Sequence, residues 1–555
     1  MAHLSTFDWM VLSGRGADPS LPTTANHPVS LSVAPVVIDA MQHADTGGEL
    51  VTELMYGGFI EHLGRCIYGG IVDDPKAPSP SRLLEQQPNH APAWRADIRR
   101  VIARDGELEI PIMRWPGGSY ACDYHWQNGI GPAEERKAAW DPAWGRSESN
   151  RFGTDEFIAM CRAYGWEPFL CLNMGTGTFE EALAWLEYCN GTENTYWANL
   201  RRKNTGRDEP HNVKYWGLGN ETFGPWTIGQ LTATEYAQMA KRWALSMKMY
   251  DPTIKLSSCG ENGWSDWDRA VLQVLIPHVD FHTIHFYTAM HGGKPSGYEY
   301  EKNVFGAAAP ERGIQVCKSL IDLYNIDNTW RQIPANSVKI SYDEWGVWDN
   351  RKANAKNGLQ QTYDLTDALG LAGWLHAFLR NHTSIGIACY AQTVNVLSPI
   401  ITRPDGILFQ PNYYPLKFFA KYMKNGHTLQ VPSLPDRYDG PTYPDFIQQL
   451  GLRPRYVDIV SMVIQKEGRV SVRLSVINRH PSADWEAPLV LAGLKLESVV
   501  VHELYHDDIS AINTFEDPNN VAPVATTFSA AEWEKHRSVV RKHSWQFIVA
   551  EGTAE

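Results

Sequence analysis

The stretch YWGLGNETFGPW at residues 215–226 indicates the fold of this chain, and ISYDEWGVW at residues 340–348 repeats its pattern. In each, an apolar run of strand length, rich in Tyr, Trp, Ile and Val, ends in a carboxylate that turn residues follow. Ionising a glutamate where a buried strand meets its loop costs desolvation free energy unless the charge is paired. Glu221 and Glu344 are therefore the first candidates for a functional site.

A single glutamate of this kind, in a chain with 63 acidic residues, would more often cap a helix or pair with an arginine. Two of them, each among aromatic residues, favour a catalytic pair. Glycoside hydrolysis needs one protonated carboxyl to release the leaving oxygen and one carboxylate to attack or to activate water. The amide of Asn220 could hold a substrate hydroxyl beside Glu221, whereas Glu344 lies between Asp343 and Trp345. We therefore predict Glu221 as the acid/base and Glu344 as the nucleophile.

Outward from these two stretches, residues 51–425 alternate strand-like runs with amphipathic segments of helical period, such as residues 232–250. The predicted strands are residues 53–58, 110–115, 168–173, 213–220, 254–260, 279–287, 338–345 and 385–392. Eight strands that alternate with helices predict an α/β protein with a catalytic (β/α)8 TIM barrel.

Polar residues of catalytic type lie at or just beyond the C-terminal ends of seven of these predicted strands. In a barrel those ends converge on one mouth, where active sites form. The residues are Glu61, Arg114, Asn173, Asn220, Glu221, Tyr287, Glu344 and Gln392. Their shared position predicts a single functional site at the mouth of the barrel.

The pattern changes at about residue 426, where Pro and Gly turns lead into short alternating segments that continue to residue 555. Such segments without helical period predict an all-β, jelly-roll-like sandwich. Residues 29–40 also have the pattern of a strand, and Pro35 favours an edge position. This strand has no place in the barrel, so we expect the N-terminal segment, residues 1–50, to contribute it to the sandwich.

The composition indicates a globular protein of two or three domains, with 555 residues, 43% of them hydrophobic and 20% charged. Its 21 Trp and 24 Tyr suit the stacking of aromatic faces on sugar rings, although a large core would also explain them. The net charge of −13, with basic residues dispersed, argues against nucleic acid and anionic membranes as partners. No stretch approaches the length of a membrane span.

The N-terminus lacks the basic and apolar regions of a signal peptide. Eight cysteines without CxxC spacing, mostly in apolar segments, suggest reduced thiols and a cytoplasmic location, although secretion after removal of a leader stays open. His282, His285 and His291 have no spacing typical of a metal site. We therefore predict no metal and no organic cofactor, because two carboxylates can supply both the proton and the nucleophile.

Five longer motifs, in chain order, resemble glycoside hydrolase family 51, whose typical activity is retaining α-L-arabinofuranosidase on a barrel plus a sandwich. They are residues 56–71 (YGGFIEHLGRCIYGGI), 114–132 (RWPGGSYACDYHWQNGIGP), 216–226 (WGLGNETFGPW), 343–348 (DEWGVW) and 391–400 (AQTVNVLSPI). The resemblance implies a homo-oligomeric hydrolase that removes terminal non-reducing arabinofuranosyl units from arabinan, arabinoxylan or arabino-oligosaccharides. The alternatives are a β-xylosidase or endo-β-1,4-glucanase on the same scaffold, or a carbohydrate-binding protein without catalysis.

By position, the resemblance also implies that Glu221 is the acid/base and Glu344 the nucleophile. The other residues it implies are Glu61, Asn220 and Gln392 on hydroxyls of the −1 sugar, and Arg114 and Tyr287 on the nucleophile. On that arrangement Arg114 and Tyr287 would favour ionised Glu344, whose charge would raise the pKa of Glu221.

Several positions depart from the family pattern and leave the substrate range open. Cys122 and Asp123 are candidate sugar contacts in a segment of unusual sequence, and the loop after Tyr287 matches no motif. His285 could support the nucleophile, or it could be a packed histidine. Tryptophans that flank the motifs are candidate sugar platforms or core residues: Trp115, Trp126, Trp226, Trp345 and Trp348.

Overall fold

A computed structural model describes residues 34–73, 84–85, 87, 92–290, 297–441, 451–535 and 538–555. The first part of the predicted N-terminal strand, residues 29–33, lies outside the described residues. His291 and residues 292–296 of the loop after Tyr287 also lie outside them.

Eight parallel strands form a closed barrel, in which each strand pairs with the next along the chain and the last pairs with the first. They are β1 (Gly57–Phe59), β2 (Ile112–Trp115), β3 (Glu167–Cys171), β4 (Tyr215–Leu218), β5 (Lys255–Ser258), β6 (Phe281–Thr288), β7 (Lys339–Val347) and β8 (Ile385–Ala391). The predicted (β/α)8 barrel is confirmed.

The first barrel strand begins later than predicted. Residues Glu53–Tyr56 form a 3-10 turn that the side chain of Thr52 caps, and the strand starts at Gly57. A Cβ atom at Gly57 would lie 2.7 Å from Ile112, and one at Gly58 would lie 2.6 Å from Thr393. This close approach of neighbouring strands requires glycine, which apolar patterning alone does not indicate.

Helices follow the barrel strands and cover the outside of the barrel. They are α1 (Ala96–Ile102), α2 (Thr154–Tyr164), α3 (Phe179–Asn190), α4 (Tyr196–Thr205), α5 (Ala233–Tyr250), α6 (Asp266–Leu275), α7 (Glu299–Val304), α8 (Ala308–Trp330), α9 (Leu365–Arg380) and α10 (Tyr413–Tyr422). Helix α5 starts with a capping box of Thr232 and Glu235 and buries one face. In contrast, α9 is buried from Leu365 to Leu379 without a break.

The C-terminal part of the chain forms a six-stranded antiparallel sheet. Its strand order is His427–Thr428, Val457–Lys466, Arg469–Asn478, Ser544–Ala554, Leu494–Leu504 and Val524–Ser529. Two strand pairs pack on one face of it: Val36–Asp39 with Leu489–Ala492, and Trp485–Ala487 with Ser538–Val540. The predicted sandwich is confirmed, and the N-terminal strand joins it through a parallel pairing.

The other face of this sheet packs against the barrel through α9 and α10. The ring of Phe547 lies 5.2 Å from that of Phe418 and 5.6 Å from that of Tyr422. The hydroxyl of Ser475 lies 2.7 Å from both Trp545 Nε1 and His376 Nε2, so a strand of the sheet is bonded to α9. A continuous core therefore joins the sheet to the barrel.

Within the described residues, no helix combines the length and the apolar character needed to cross a bilayer. All eight cysteines are buried and have free thiols. In these positions they act as small apolar core residues.

The contact between sheet and barrel gives a stability prediction. We expect Phe547→Ala to lower the free energy of unfolding by about 3–5 kcal/mol, because it removes a fully buried aromatic ring and leaves a cavity. Urea unfolding followed by tryptophan fluorescence measures the loss. The control is Val524→Ala in the edge strand, where the side chain is 69% exposed and the change should stay below about 0.5 kcal/mol. Similar losses in both variants would contradict the prediction.

Candidate active site

The turn after β4 presents Asn220 and Glu221 to the mouth of the barrel. Gly219 and Glu221 both have left-handed backbone conformations, with φ of +83° and +44°. For a non-glycine residue such a conformation costs on the order of 1 kcal/mol and needs support from its surroundings. The thiol of Cys122 donates to the carbonyl of Asn220 at 3.1 Å, and the hydroxyl of Thr227 donates to that of Glu221 at 3.0 Å. The turn is thus held from both sides.

Arg114, at the end of β2, connects the two predicted catalytic strands. Its Nη1 donates to Glu344 Oε2 at 3.0 Å, its Nε lies 3.2 Å from Asp343 Oδ2, and its Nη2 donates to Asn220 Oδ1. The guanidinium is only 1% exposed, so these contacts replace the water that it loses. The nucleophile candidate and the amide beside Glu221 are therefore fixed by one buried cation.

His285, on β6, lies between the acidic groups. Its Nδ1 lies 3.0 Å from Glu221 Oε1 and 3.6 Å from Glu344 Oε2, and its Nε2 lies 3.1 Å from Asp343 Oδ1. The imidazole is only 5% exposed. The structure therefore bonds His285 directly to the predicted acid/base, whereas the sequence analysis considered it as support for the nucleophile.

Each predicted catalytic carboxylate also accepts a hydrogen bond from an aromatic side chain. The hydroxyl of Tyr287 donates to Glu344 Oε1 at 2.8 Å, and Trp226 Nε1 donates to Glu221 Oε2 at 3.0 Å. One ligand atom each of Glu221, His285 and Glu344 lie within 4.8 Å of one another. The two carboxylates therefore face each other across a narrow gap.

The electrostatics of this group depend on His285. Burial alone would lower the pKa of His285, but the charge of Glu344 and the hydrogen bonds with Asp343 and Glu221 raise it to about 10. Burial raises the pKa of Glu221, yet the hydrogen bond and charge of His285 outweigh it, so this pKa lies below its ordinary value. Burial and the charge of Glu221 hold the pKa of Glu344 above its ordinary value.

The expected pKa order of the two carboxylates is therefore wrong for the free protein. The sequence analysis predicted a raised pKa for Glu221 and favoured the ionised form of Glu344, because that argument used only Arg114 and Tyr287 and did not place His285 beside Glu221. The protonated imidazole of His285, bonded to Glu221, reverses this order.

A second acidic group, Glu61, forms the opposite wall of the site. Its Oε1 accepts from the backbone N–H of Tyr120 and from Trp144 Nε1, both at 3.1 Å, and its Oε2 accepts from Gln392 Nε2 at 2.9 Å. Burial and the charge of Glu344 raise the pKa of Glu61 to about 7. A Cβ atom at Gly117 would lie 2.7 Å from Glu61, so this glycine keeps the wall open.

Within the part of the chain that the structure describes, Asn220 Nδ2 and Gln392 Oε1 are buried at the site and have no hydrogen-bond partner. Buried polar groups are normally satisfied, so this donor and this acceptor suit a ligand rich in hydroxyl groups. A Cβ atom at Gly118 would lie 3.1 Å from Glu344 Oε2 and 3.6 Å from Asn220 Nδ2, in the space beside both groups. The site can thus bind a sugar ring against a pair of carboxylates.

Comparisons with known proteins agree with this geometry. Residues 106–303 match the family model "Alpha-L-arabinofuranosidase 1 domain", and residues 343–544 match "Alpha-L-arabinofuranosidase C-terminal domain". The chain is 41% identical to a protein named "Probable alpha-L-arabinofuranosidase C" from Aspergillus clavatus, over 85% of this chain and 90% of that protein. It belongs to the α-L-arabinofuranosidases.

Two further relatives connect the chain to family 51 and to an exo-acting enzyme. The structure of the family 51 α-L-arabinofuranosidase from Thermotoga petrophila is 33% identical, with a TM-score of 0.77, and covers 93% of this chain and 99% of that one. A Streptomyces lividans protein named "Intracellular exo-alpha-(1->5)-L-arabinofuranosidase" is 32% identical over 90% of this chain and 73% of that protein. The predicted resemblance to glycoside hydrolase family 51 is confirmed.

The structure does not bring every predicted site residue of this arabinofuranosidase into the carboxylate group. Trp126 is 1% exposed, bonds to the backbone of Glu181 and stacks on Trp185, so it is a core residue. Trp115 and Trp345 are also in the core. Aromatic residues near a motif can serve packing as well as binding, and the sequence does not separate these roles.

Other predicted residues support the site from behind or lie beside it. Cys122 is fully buried under the turn that contains Asn220. Asp123 accepts a hydrogen bond from Thr176 at 2.6 Å, next to the loop that Asn173 shapes. Trp348 packs edge-on against Tyr287, with ring centroids 5.2 Å apart.

Three contributions to the site were absent from the sequence analysis of this arabinofuranosidase. Trp144 reaches Glu61 from a hairpin of Ala139–Asp141 and Arg146–Glu148, away from any strand end. The N–H of Tyr120 is a backbone group, which no residue type reveals. Asp343 had a sequence signal, since it stands beside Glu344, but its bonds to Arg114 and His285 required the fold.

The raised pKa of His285 predicts a pH-dependent stability. Below its unfolded value of about 6.5 the contribution is fully present, and it is lost as the pH rises through the folded value of about 10. A shift of this size corresponds to on the order of 5 kcal/mol. We therefore expect His285→Asn to lose much less stability than the wild type between pH 6.5 and 10, measured by urea unfolding at several pH values.

The matched control is His502→Asn. Burial lowers the pKa of His502, the opposite direction to that of His285, so its loss should not reduce the fall in stability between pH 6.5 and 10. A His285→Asn variant with the wild-type slope would contradict the prediction.

Proposed function

We propose that this arabinofuranosidase is a retaining exo-enzyme that releases terminal non-reducing α-L-arabinofuranosyl units from arabinan, arabinoxylan or arabino-oligosaccharides by double displacement. The proposal rests on the facing carboxylates Glu221 and Glu344, whose nearest ligand atoms lie within 4.8 Å. Retaining glycosidases separate their carboxyl groups by about 5–5.5 Å, whereas inverting ones need about 6.5–9.5 Å to admit a water. The observed gap supports retention.

In the first step, Glu344 attacks the anomeric carbon while Glu221 protonates the departing oxygen, and a covalent glycosyl-enzyme forms. In the second step, Glu221 takes a proton from water, the water oxygen bonds to the anomeric carbon, and Glu344 is released. Arg114 and Tyr287 each donate to Glu344 and hold its oxygens in place for attack. They also stabilise its charge when it leaves.

The proton for the first step lies between His285 Nδ1 and Glu221 Oε1, which share a hydrogen bond. In the free protein His285 is protonated and Glu221 is ionised, because the pKa of the imidazole is raised to about 10. Moving that proton 3.0 Å, from His285 Nδ1 to Glu221 Oε1, gives the acid that the reaction requires without a change in total charge. Asp343, bonded to Nε2, keeps the imidazole in the orientation for this transfer.

The −1 sugar would lie between Glu61 and the carboxylate pair. Its hydroxyls can accept from the free Asn220 Nδ2 and donate to the free Gln392 Oε1, both buried. Glu61 is itself held by hydrogen bonds from Gln392 and Trp144. These donors and acceptors suit the hydroxyls of a bound sugar ring.

We also propose a cytoplasmic location and a homo-oligomer. The buried free thiols and the relative named as intracellular support the first. Large apolar side chains on the barrel helices support the second, since Met249 is 84% exposed and Trp330 is 88% exposed.

The decisive experiment compares aryl α-L-arabinofuranoside with aryl β-D-xyloside and aryl β-D-glucoside, and follows the product anomer by NMR. We expect the arabinoside to be hydrolysed at least about 100-fold faster, with retained configuration. Arabino-oligosaccharides cut from one end, one sugar at a time, would establish exo action. Preferred hydrolysis of the xyloside or glucoside would contradict the proposed substrate, and an inverted product would contradict the mechanism.

The two carboxylates have different expected mutant phenotypes. Glu344→Ala should abolish turnover, because no covalent intermediate can form, whereas Glu221→Ala should lose far less activity on substrates with good leaving groups than on arabino-oligosaccharides. Steady-state kinetics on both substrate types measures this, with circular dichroism as the control for folding. Equal losses on both substrate types in Glu221→Ala would argue against its acid role.

A further inference from the structure

The catalytic group has the composition of a metal site as well as that of a glycosidase. We propose that Glu221, His285 and Glu344 bind a Zn²⁺-like divalent cation that competes with the substrate. The cation would inhibit the enzyme and take no part in hydrolysis. The inhibitory consequence rests on the proposed function, whereas the binding site itself does not.

The donor atoms lie close enough together to close around a small cation. His285 Nδ1 lies 3.0 Å from Glu221 Oε1 and 3.6 Å from Glu344 Oε2. Tetrahedral zinc, with bonds of about 2.0–2.1 Å, sets its ligand atoms about 3.3 Å apart. The observed separations lie on either side of this value, and the three ligand atoms all lie within 4.8 Å of one another.

The surroundings of His285 are those of a metal-binding histidine. Its second nitrogen, Nε2, lies 3.1 Å from the buried carboxylate of Asp343. Zinc-binding histidines usually donate their other N–H to a carboxylate or carbonyl, which fixes the ring and increases its basicity. Nδ1 faces the two glutamates, and it becomes a ligand when Zn²⁺ takes the place of the proton between it and Glu221.

The charge of the site allows a dication. Glu221, Asp343 and Glu344 supply three negative charges, and Arg114 supplies one positive charge. When Zn²⁺ replaces the proton of His285, the charges of these residues and the cation sum to zero. Hard cations such as Mg²⁺ prefer oxygen ligands and keep several waters, so this small site with a nitrogen ligand should reject them.

The position of the site explains the competition. Glu344 is the most accessible of the three side chains, at 13% exposed, so a cation can enter from the mouth of the barrel. Three protein ligands leave one tetrahedral position for water. The −1 sugar is proposed to lie against the same two glutamates, so cation and sugar would exclude each other.

Zinc binding to EDTA-treated enzyme is measured by competition with a zinc-sensitive chromophore, with and without saturating L-arabinose. We expect one zinc per chain that arabinose displaces. Aryl arabinoside kinetics should show a raised KM and an unchanged kcat in zinc. Mg²⁺ at the same concentration should have no effect. Zinc that arabinose does not displace, or no bound zinc, would overturn the proposal.

Variants distinguish zinc binding at this site from zinc binding at other histidines. Asp343→Asn should weaken zinc binding by about 10–100-fold, and Glu221→Gln or His285→Asn by at least as much. The control is His211→Asn, which removes an imidazole that lies 3.0 Å from Asp155 on another part of the barrel and should leave zinc affinity unchanged. Equal affinity in all variants would refute the assignment.

Failure of the proposed function can be distinguished from failure of the zinc site. If the proposed function is wrong, the enzyme will not hydrolyse the arabinoside in EDTA, whether or not the chromophore assay shows zinc binding. The binding measurement on these variants does not depend on turnover.

Discussion

The buried guanidinium of Arg114 is the constraint on which the site depends. A cation that is 1% exposed is tolerated only where several acceptors replace its hydration, and here they come from β4 and β7 on either side of the barrel. Its contacts set the positions of Asn220, Asp343 and Glu344 relative to each other. The closed barrel in turn fixes how far apart the strands that supply them can be. The positions of the catalytic residues therefore depend on the closure of the barrel.

Around this cation the site balances charges that would be unfavourable singly. Glu221, Asp343 and Glu344 approach each other closely because Arg114 and a protonated His285 lie between them. Such a group is stable as a whole and sensitive to the loss of any member. It also holds a proton on His285, one hydrogen bond away from the Glu221 oxygen that must deliver it. A single short proton transfer therefore converts the resting protein into the reactive form.

Much of the fold and part of the site follow from the sequence. The eight strands are visible because each barrel strand is a short apolar run between helical segments, and Glu221 and Glu344 stand out because charge at such an end is costly. The partners of these residues were harder to predict. Whether His285 bonds to one glutamate or the other depends on a side-chain position of about an ångström. Trp144 comes from a hairpin that has no regular place in a barrel, and Trp126 satisfies the same local pattern as a binding residue while it packs in the core.

Helix α9 has a consequence for how this enzyme can be divided. It is buried from Leu365 to Leu379, with β7 on one side and the C-terminal sheet on the other. No face of this helix is suited to contact with water, so the barrel would expose apolar side chains there if the sheet were removed. The family model for residues 343–544 likewise begins at the nucleophile strand and extends through the sheet. An exchange of the sandwich alone would therefore have to rebuild a wall of the barrel.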